Sequence, residues 1–269
     1  MQKNAAKRKK PLLIYKPYLE GNWRSALAAK RGLKLLGYQA AFIFFYLFVG
    51  QAMMFDNFVL RLVINLLLLL AFASLLYMDG IKTGEDDVAF AEIALSRKEA
   101  GQTISQGDLD RCFHPLKGLL AVLAGMLPIV LICLVFALIA EVQVYRLGAL
   151  PSWLEAYRNS RPDISLALSY YSEAVPFQLQ DILRIIVRLL IFPYVNIVGT
   201  GDAISLLWLE RLSPLLVMIV PMAYAIGYRQ GKMSRARVHG GIASNQVKRV
   251  RRERRERKKR REKAPNQLI

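Results

Sequence analysis

The chain has 269 residues, 54% of them hydrophobic, a formal net charge of +18 and two cysteines, Cys112 and Cys133. Two cysteines exclude a disulfide framework. A soluble fold is excluded by distribution: residues 38–55, 62–78, 119–140 and 212–228 contain no Asp, Glu, Lys or Arg. A bilayer core takes roughly 20 apolar residues at about 1.5 Å of rise each. Four such runs predict an all-α, polytopic transmembrane helical bundle.

The positive charge is localised. Residues 1–34 hold ten Lys/Arg against one Glu, and residues 229–269 hold sixteen against three, so the stretch between them is net acidic. This divides the chain into a basic cytoplasmic N-terminal segment, 1–34, a transmembrane bundle, 35–228, and a basic cytoplasmic tail, 229–269.

In chain order, residues 1–21 read as flexible and basic. Asn22 is a candidate cap for a helix through Trp23, Leu27, Leu33 and Leu36. On it Arg24, Lys30, Arg31 and Lys34 fall within about 120° of arc. That suits a helix on an acidic leaflet, or a lead-in that only sets orientation. No small-residue cleavage site precedes 38–55, so the first span is expected to be retained. Span one covers about 36–54, Asp56-Asn57 is a polar break, and span two covers about 58–78. Arg61, one turn inside it, is placed to snorkel to the interface.

Residues 79–117 read as a polar loop with eight acids and five bases. Within it 85–100 forms a short helix, with Thr83 as cap, Glu85, Asp86 and Asp87 in the first turn, Arg97 and Lys98 in the last, and Gly101 beyond. This order complements the helix dipole. Span three covers about 118–140, mildly kinked at Pro128, with Ala121 and Gly125 as a small-residue pair for helix contact. Residues 141–181 carry Tyr145, Trp153, Tyr157, Tyr170 and Tyr171, with Pro151 and Asp163 as helix-start signals. Short helices skimming the interface are expected there.

Two more apolar stretches follow. Residues 182–198 are interrupted by Arg184, Arg188, Pro193 and Asn196, and residues 203–228 by Glu210 and Arg211. Five crossings would put the two basic ends on opposite sides, against the tendency of Lys and Arg to stay cytoplasmic. The preferred reading is four crossings, at about 36–54, 58–78, 118–140 and 203–228, with 182–198 interfacial or re-entrant. Gln180, Asp181, Arg184 and Arg188 share a roughly 100° arc of that segment. Five crossings with the N-terminus outside is the alternative.

The candidate functional residues fall in two groups. The first is an interfacial or intramembrane polar cluster of Arg61, Asp181, Arg184, Arg188 and Glu210. Interfacial pairing of Glu210 with Arg184 or Arg188 outweighs a solute pathway in this reading, because Glu210 lies eighteen residues, roughly 27 Å, from Tyr228. The second is the tail: Lys248, Arg249, Arg251, Arg252, Arg254, Arg255, Arg257, Lys258, Lys259, Arg260, Arg261 and Lys263. Self-repulsion should hold such a block extended or disordered, unless i,i+4 pairs of Glu253 with Arg257 and Glu256 with Arg260 support a helix. Each base near an anionic leaflet contributes about 1 kcal/mol before screening. Nucleic-acid phosphates offer a similar attraction, but no aromatic residue follows Tyr228 to stack on bases.

Enzymatic signatures are not found. H-E-x-x-H and G-x-S-x-G are absent, and Gly231-Lys232-Met233-Ser234 lacks the Ser or Thr that must follow the Lys of a phosphate loop. Cys112 and His114 with Asp108 and Asp110 match no zinc spacing. No catalytic residue, cofactor or metal is expected. The function read from sequence is a non-enzymatic plasma-membrane protein with both termini cytoplasmic. Its partners are the bilayer, anionic lipid headgroups and, through the tail, a ribosome or nucleic acid, in an adaptor, scaffold or assembly role. The alternative is a small transporter or permease-type subunit.

Overall fold

The computed structural model describes residues 13–23, 26–53, 55–142, 152–164, 178–199 and 201–263. Among these there is no strand; the chain is helical throughout, apart from short connections and the extended segment 13–22. The helices are α1 (Ala26–Ala52), α2 (Phe58–Glu99), α3 (Gln106–Arg111), α4 (Lys117–Ile139), α5 (Ser152–Ser160), α6 (Leu179–Leu190), α7 (Phe192–Val198) and α8 (Ala203–Lys263). Four of them, α1, α2, α4 and α8, are long and apolar enough to cross a membrane. Their large apolar side chains face outward: Phe44, Phe48, Leu67 and Leu215 are exposed, and Leu138 is 81% exposed. Water would penalise that surface and hydrocarbon accepts it. The protein is a multi-pass, all-α membrane protein with four crossings.

Several local expectations are corrected. Residues 79–117 are not a loop around a separate helix, because α2 runs unbroken from Phe58 to Glu99. Thr83 therefore caps nothing; its hydroxyl donates to the Asp79 carbonyl one turn back at 2.8 Å. The expected stop at Gly101 does occur. Gly101 has φ +81°, its N–H donates to Lys98 O, and the N–H of Gln102 donates to Arg97 O. That paired bonding is the glycine-terminated helix end.

Segment 182–198 is two helices rather than one. α6 ends at Leu190, Ile191 leaves helical geometry at φ −106° and ψ 19°, and α7 restarts with Pro193 in its first turn. Proline has no N–H to continue the α6 ladder, which accounts for the break just before it. At 12 and 7 residues neither piece is long enough to span a bilayer.

The tail is not disordered over 229–263, since α8 continues through it as one helix of 61 residues. Lys, Arg and Glu are good helix formers, and two ion pairs at i,i+4 add local support. Those pairs run toward the N-terminus, Arg249–Glu253 at 3.1 Å and Arg252–Glu256 at 3.3 Å, instead of toward Arg257 and Arg260. Arg24, Tyr145, Pro151, Tyr170, Tyr171 and most of residues 1–21 preceding Leu13 lie outside the described residues. Trp153 and Tyr157 lie on α5 and are exposed.

The chain divides into two compact units, to each of which all four long helices contribute. The first comprises residues 1–34, 73–125 and 222–269. In it α2 and α8 touch backbone to backbone. A Cβ placed on Gly80 or Gly84 would run into the carbonyl oxygens of Tyr224 and Tyr228, one on Gly227 into that of Tyr77, and one on Gly231 into Gly84 itself. Gly80-xxx-Gly84 and Gly227-xxx-Gly231 thus form two facing small-residue stripes, and dispersion over this close approach holds the helices together. Gly32 of α1 meets Ala121 and Gly125 of α4 in the same way, with a Cβ at Gly32 falling 2.8 Å from Ala121 O.

Residues 13–22, expected to be flexible, are instead strapped down. The N–H groups of Ile14, Leu19, Gly21 and Asn22 donate to the carbonyls of Ala236, Ala91, Phe113 and Leu109 at 3.0–3.2 Å. Tyr18 and Leu19 pack on a core of Val88, Ala91, Ala94, Cys112, Phe113 and Tyr228.

The second unit comprises residues 35–72 and 126–221. Its core joins Cys133, Phe136 and Ala140 of the α4 end to Val187, Ile191 and Val195, and to Leu206 and Val217 of α8. Phe42, Phe45 and Phe72 add an aromatic contact between α1 and α2, with ring centroids 4.1 Å and 5.7 Å apart.

Candidate functional site

In the first unit the buried charge centres on Asp87. The sequence read this residue as a helix-start acid; in the structure it lies in the body of α2, and that reading is overturned. Both guanidinium ends of Arg31 donate to its carboxylate at 2.7 Å. The Tyr228 hydroxyl donates to it at 2.6 Å. Lys117, 0% exposed, stands 3.9 Å away. The ammonium of Lys117 also donates to Asp110 O at 2.8 Å and to Cys112 O, the carbonyls at the end of α3. A helix C-terminus presents orphan carbonyls and partial negative charge, so a buried ammonium is at home there. Two cations share one carboxylate, and the second cation is neutralised by backbone dipoles. Phe113 stacks on the Tyr228 ring at 5.2 Å and closes the cluster.

Further polar contacts join α1, α2 and α8 in this unit. Lys34 reaches Asp79 at 3.0 Å. Glu92 receives Arg235 at 3.1 Å and meets the His239 ring at 2.8 Å, and Ser234 donates to Glu85 at 2.7 Å. The residues once considered as a metal group have other duties: Asp108 and Ser105 form the capping box of α3, and His114 accepts from Leu116 N. Burial pushes the Cys112 thiol up from its ordinary value.

In the second unit the structure brings Arg184, Arg188 and Glu210 together. Arg188 donates to Glu210 at 2.6 Å, and Arg184 lies 3.4 Å from the same oxygen. Glu210 is 2% exposed. Arg184 also donates to Glu141 O at 2.6 Å, Gln180 to Ile139 O at 2.9 Å, and Arg211 to Ala140 O at 3.4 Å. The last carbonyls of α4 are thereby capped by three side chains from α6 and α8.

Asp181 and Arg61 stand apart from that cluster. Asp181 accepts from the Gln178 N–H at 2.9 Å and starts α6. Arg61 reaches the end of α7. It donates to Ile197 O at 3.1 Å and Val198 O at 3.3 Å, capping α7 beside Gly199, whose φ is +86°. Asn196 donates to the Tyr46 hydroxyl at 3.2 Å and to Gly50 O at 2.9 Å. Arg61, Gln180, Arg184 and Arg211 thus serve helix ends, while Arg188 and Glu210 pair with each other.

The tail bases from Lys248 to Lys259 lie on α8 with every residue exposed. Arg260, Arg261 and Lys263 continue that helix. The sequence reading missed the Asp87 cluster and the facing stripes of α2 and α8. Gly80/Gly84 and Gly227/Gly231 were the available signal for the stripes. Nothing local in the sequence marks Arg31, Lys117 and Tyr228 as partners of Asp87. Compared with known proteins, the chain matches no family model, no curated protein and no solved structure.

Proposed function

We propose that this protein is a non-enzymatic membrane adaptor of the plasma membrane, whose basic helical tail captures a polyanion on the cytoplasmic side. The observation that carries this reading is the unbroken run of α8 from an apolar segment into fully exposed positive charge. Four crossings are an even number, which supports a common side for the two basic ends, and Lys/Arg bias makes that side cytoplasmic.

The helix also supports one kind of polyanion over another. At about 1.5 Å per residue, Lys248 lies roughly 30 Å and Lys263 roughly 50 Å beyond Tyr228 along the α8 axis. Attraction to a leaflet fades within a Debye length, about 8 Å at physiological salt. A surface-lying helix needs an apolar face, and between 246 and 263 only Val247 and Val250 are apolar. The bases instead occupy the whole circumference at 100° per residue. Charge on every side suits a soluble polyanion that surrounds the helix, such as folded or ribosomal RNA, with little sequence preference. Arg61, Gln180, Arg184 and Arg211 are engaged by helix-end carbonyls and Glu210 by Arg188, which disfavours the transporter reading.

The test uses the full chain and a form lacking 246–269, each in neutral-lipid nanodiscs, titrated with unrelated structured RNAs at two salt concentrations. Salt-sensitive binding of all the RNAs by the full chain, and its loss on truncation, is expected. Equal binding by both forms, or no binding at low salt, refutes the proposal. Tail-dependent attachment to acidic vesicles without RNA binding would assign the tail to lipid.

A further inference from the structure

Where the last apolar run ends at Tyr228, α8 borders an open cavity of about 580 Å³ in the first unit. Its lining is Ile226, Arg229, Gln230, Lys232 and Met233 of α8, with Tyr15 of the N-terminal strap. Residues 226, 229, 230 and 233 are spaced i, i+3, i+4 and i+7, so they share one face of the helix. The strap supplies the wall that turns this face into a cavity, anchored by the bond from Ile14 N to Ala236 O at 3.1 Å.

The chemistry of the lining is two-sided. Ile226 is 55% and Tyr15 54% exposed, an apolar margin open to the outside. Arg229 and Lys232 are cations with no carboxylate partner among the described residues. Glu92 is taken by Arg235 and His239, and Glu85 accepts from Ser234. Lys232 is held over the rings of Tyr18 and Tyr15, 5.0 Å and 5.9 Å from their centroids. Those contacts orient the ammonium and leave its charge uncompensated. Residues 1–12, which precede the strap, contain five Lys/Arg and no acid.

We infer that this cavity is a binding site for one anionic phospholipid, with the headgroup phosphate between Arg229 and Lys232 and an acyl chain along Ile226. Three features favour a lipid over a free phosphate. The cavity lies at the end of an apolar run of 17 residues, roughly 25 Å long, which is the level of the headgroups. Its volume is in the range of sites for small molecules, roughly 300–1,000 Å³, and larger than a bare phosphate fills. Half of its wall is apolar. The site belongs to the bundle and strap, and does not rest on the tail reading above.

The experiment uses the full chain purified in a neutral detergent. Thermal stability is followed while a short-chain phosphatidylglycerol, a short-chain phosphatidylcholine or inorganic phosphate is added, since a ligand that binds only the folded state raises Tm. Saturable stabilisation is expected from phosphatidylglycerol alone. The double variant R229Q/K232Q, altered only at exposed positions, should weaken it at least tenfold. Met233→Glu, which puts a carboxylate in the cavity, should do the same. A chain lacking 246–269 should retain it in full, which separates this site from the tail. Equal response to phosphatidylcholine, saturation by inorganic phosphate, undiminished binding in both variants, or loss on truncating the tail would each overturn the assignment.

Discussion

Replacing Gly84 by Ala should destabilise the protein, although the same change elsewhere in a helix stabilises it. Alanine is favoured over glycine inside a helix by about 0.5–1 kcal/mol, because glycine loses more backbone freedom on folding. At Gly37 that gain is available, since a Cβ there meets nothing within 4 Å. At Gly84 the Cβ falls well inside the 3.0 Å that real Cβ contacts keep, against the backbone carbonyl of Tyr228. Backbone cannot rotate away as a side chain tip can. Restoring ordinary contact requires α2 and α8 to separate by about 1 Å at this level, which loosens dispersion along the whole stripe; overpacking of this kind costs about 1–3 kcal/mol. The same separation strains the 2.6 Å bond from Tyr228 to Asp87, so the upper end of that range is expected. Thermal and denaturant unfolding of the two variants in one detergent would give shifts of opposite sign, G37A up and G84A down. Equal or greater stability of G84A would show that the helices do not meet backbone to backbone there.

Asp87→Asn leaves the Arg31 and Lys117 charges buried without a carboxylate, and should cost about 3–5 kcal/mol. Asp79→Asn, which removes the carboxylate paired with half-exposed Lys34, should cost under about 1 kcal/mol. Comparing their unfolding midpoints tests the ranking. Cys112 should resist a water-soluble thiol reagent at neutral pH in the folded protein and react once it is denatured, because the side chain is enclosed and burial raises its thiol pKa, which depletes the thiolate. Mass spectrometry of the labelled protein reads this directly. Deleting 246–269 should leave expression and Tm of the bundle unchanged, since residues 245–259 are exposed throughout and give the core nothing. A fall in either would mean that the tail docks on the bundle.

Composition and periodicity were sufficient for the membrane class, because hydrocarbon imposes a length and a polarity that any sequence must display locally; the choice of four crossings over five needed the charge at the two ends as well. The stop at Gly101 was readable for a similar reason: it is a property of one residue's backbone. The continuity of α2 and α8 was not. Local signals placed a cap at Thr83, acids after it and a disordered block of bases. Tertiary structure overrode the first two, because Gly80 and Gly84 are held in helix by the α8 backbone pressed against them. The strap at 13–22 escaped notice because its hold consists of main-chain bonds to distant carbonyls, which no side-chain pattern encodes. The roles of the charged residues also depend on fold alone. Arg61, Arg184, Arg211 and Lys117 each seek unpaired carbonyls at a helix end contributed by another part of the chain. Sequence shows that such a residue is costly near a bilayer, and only the packing of helices decides which orphan carbonyls offset that cost.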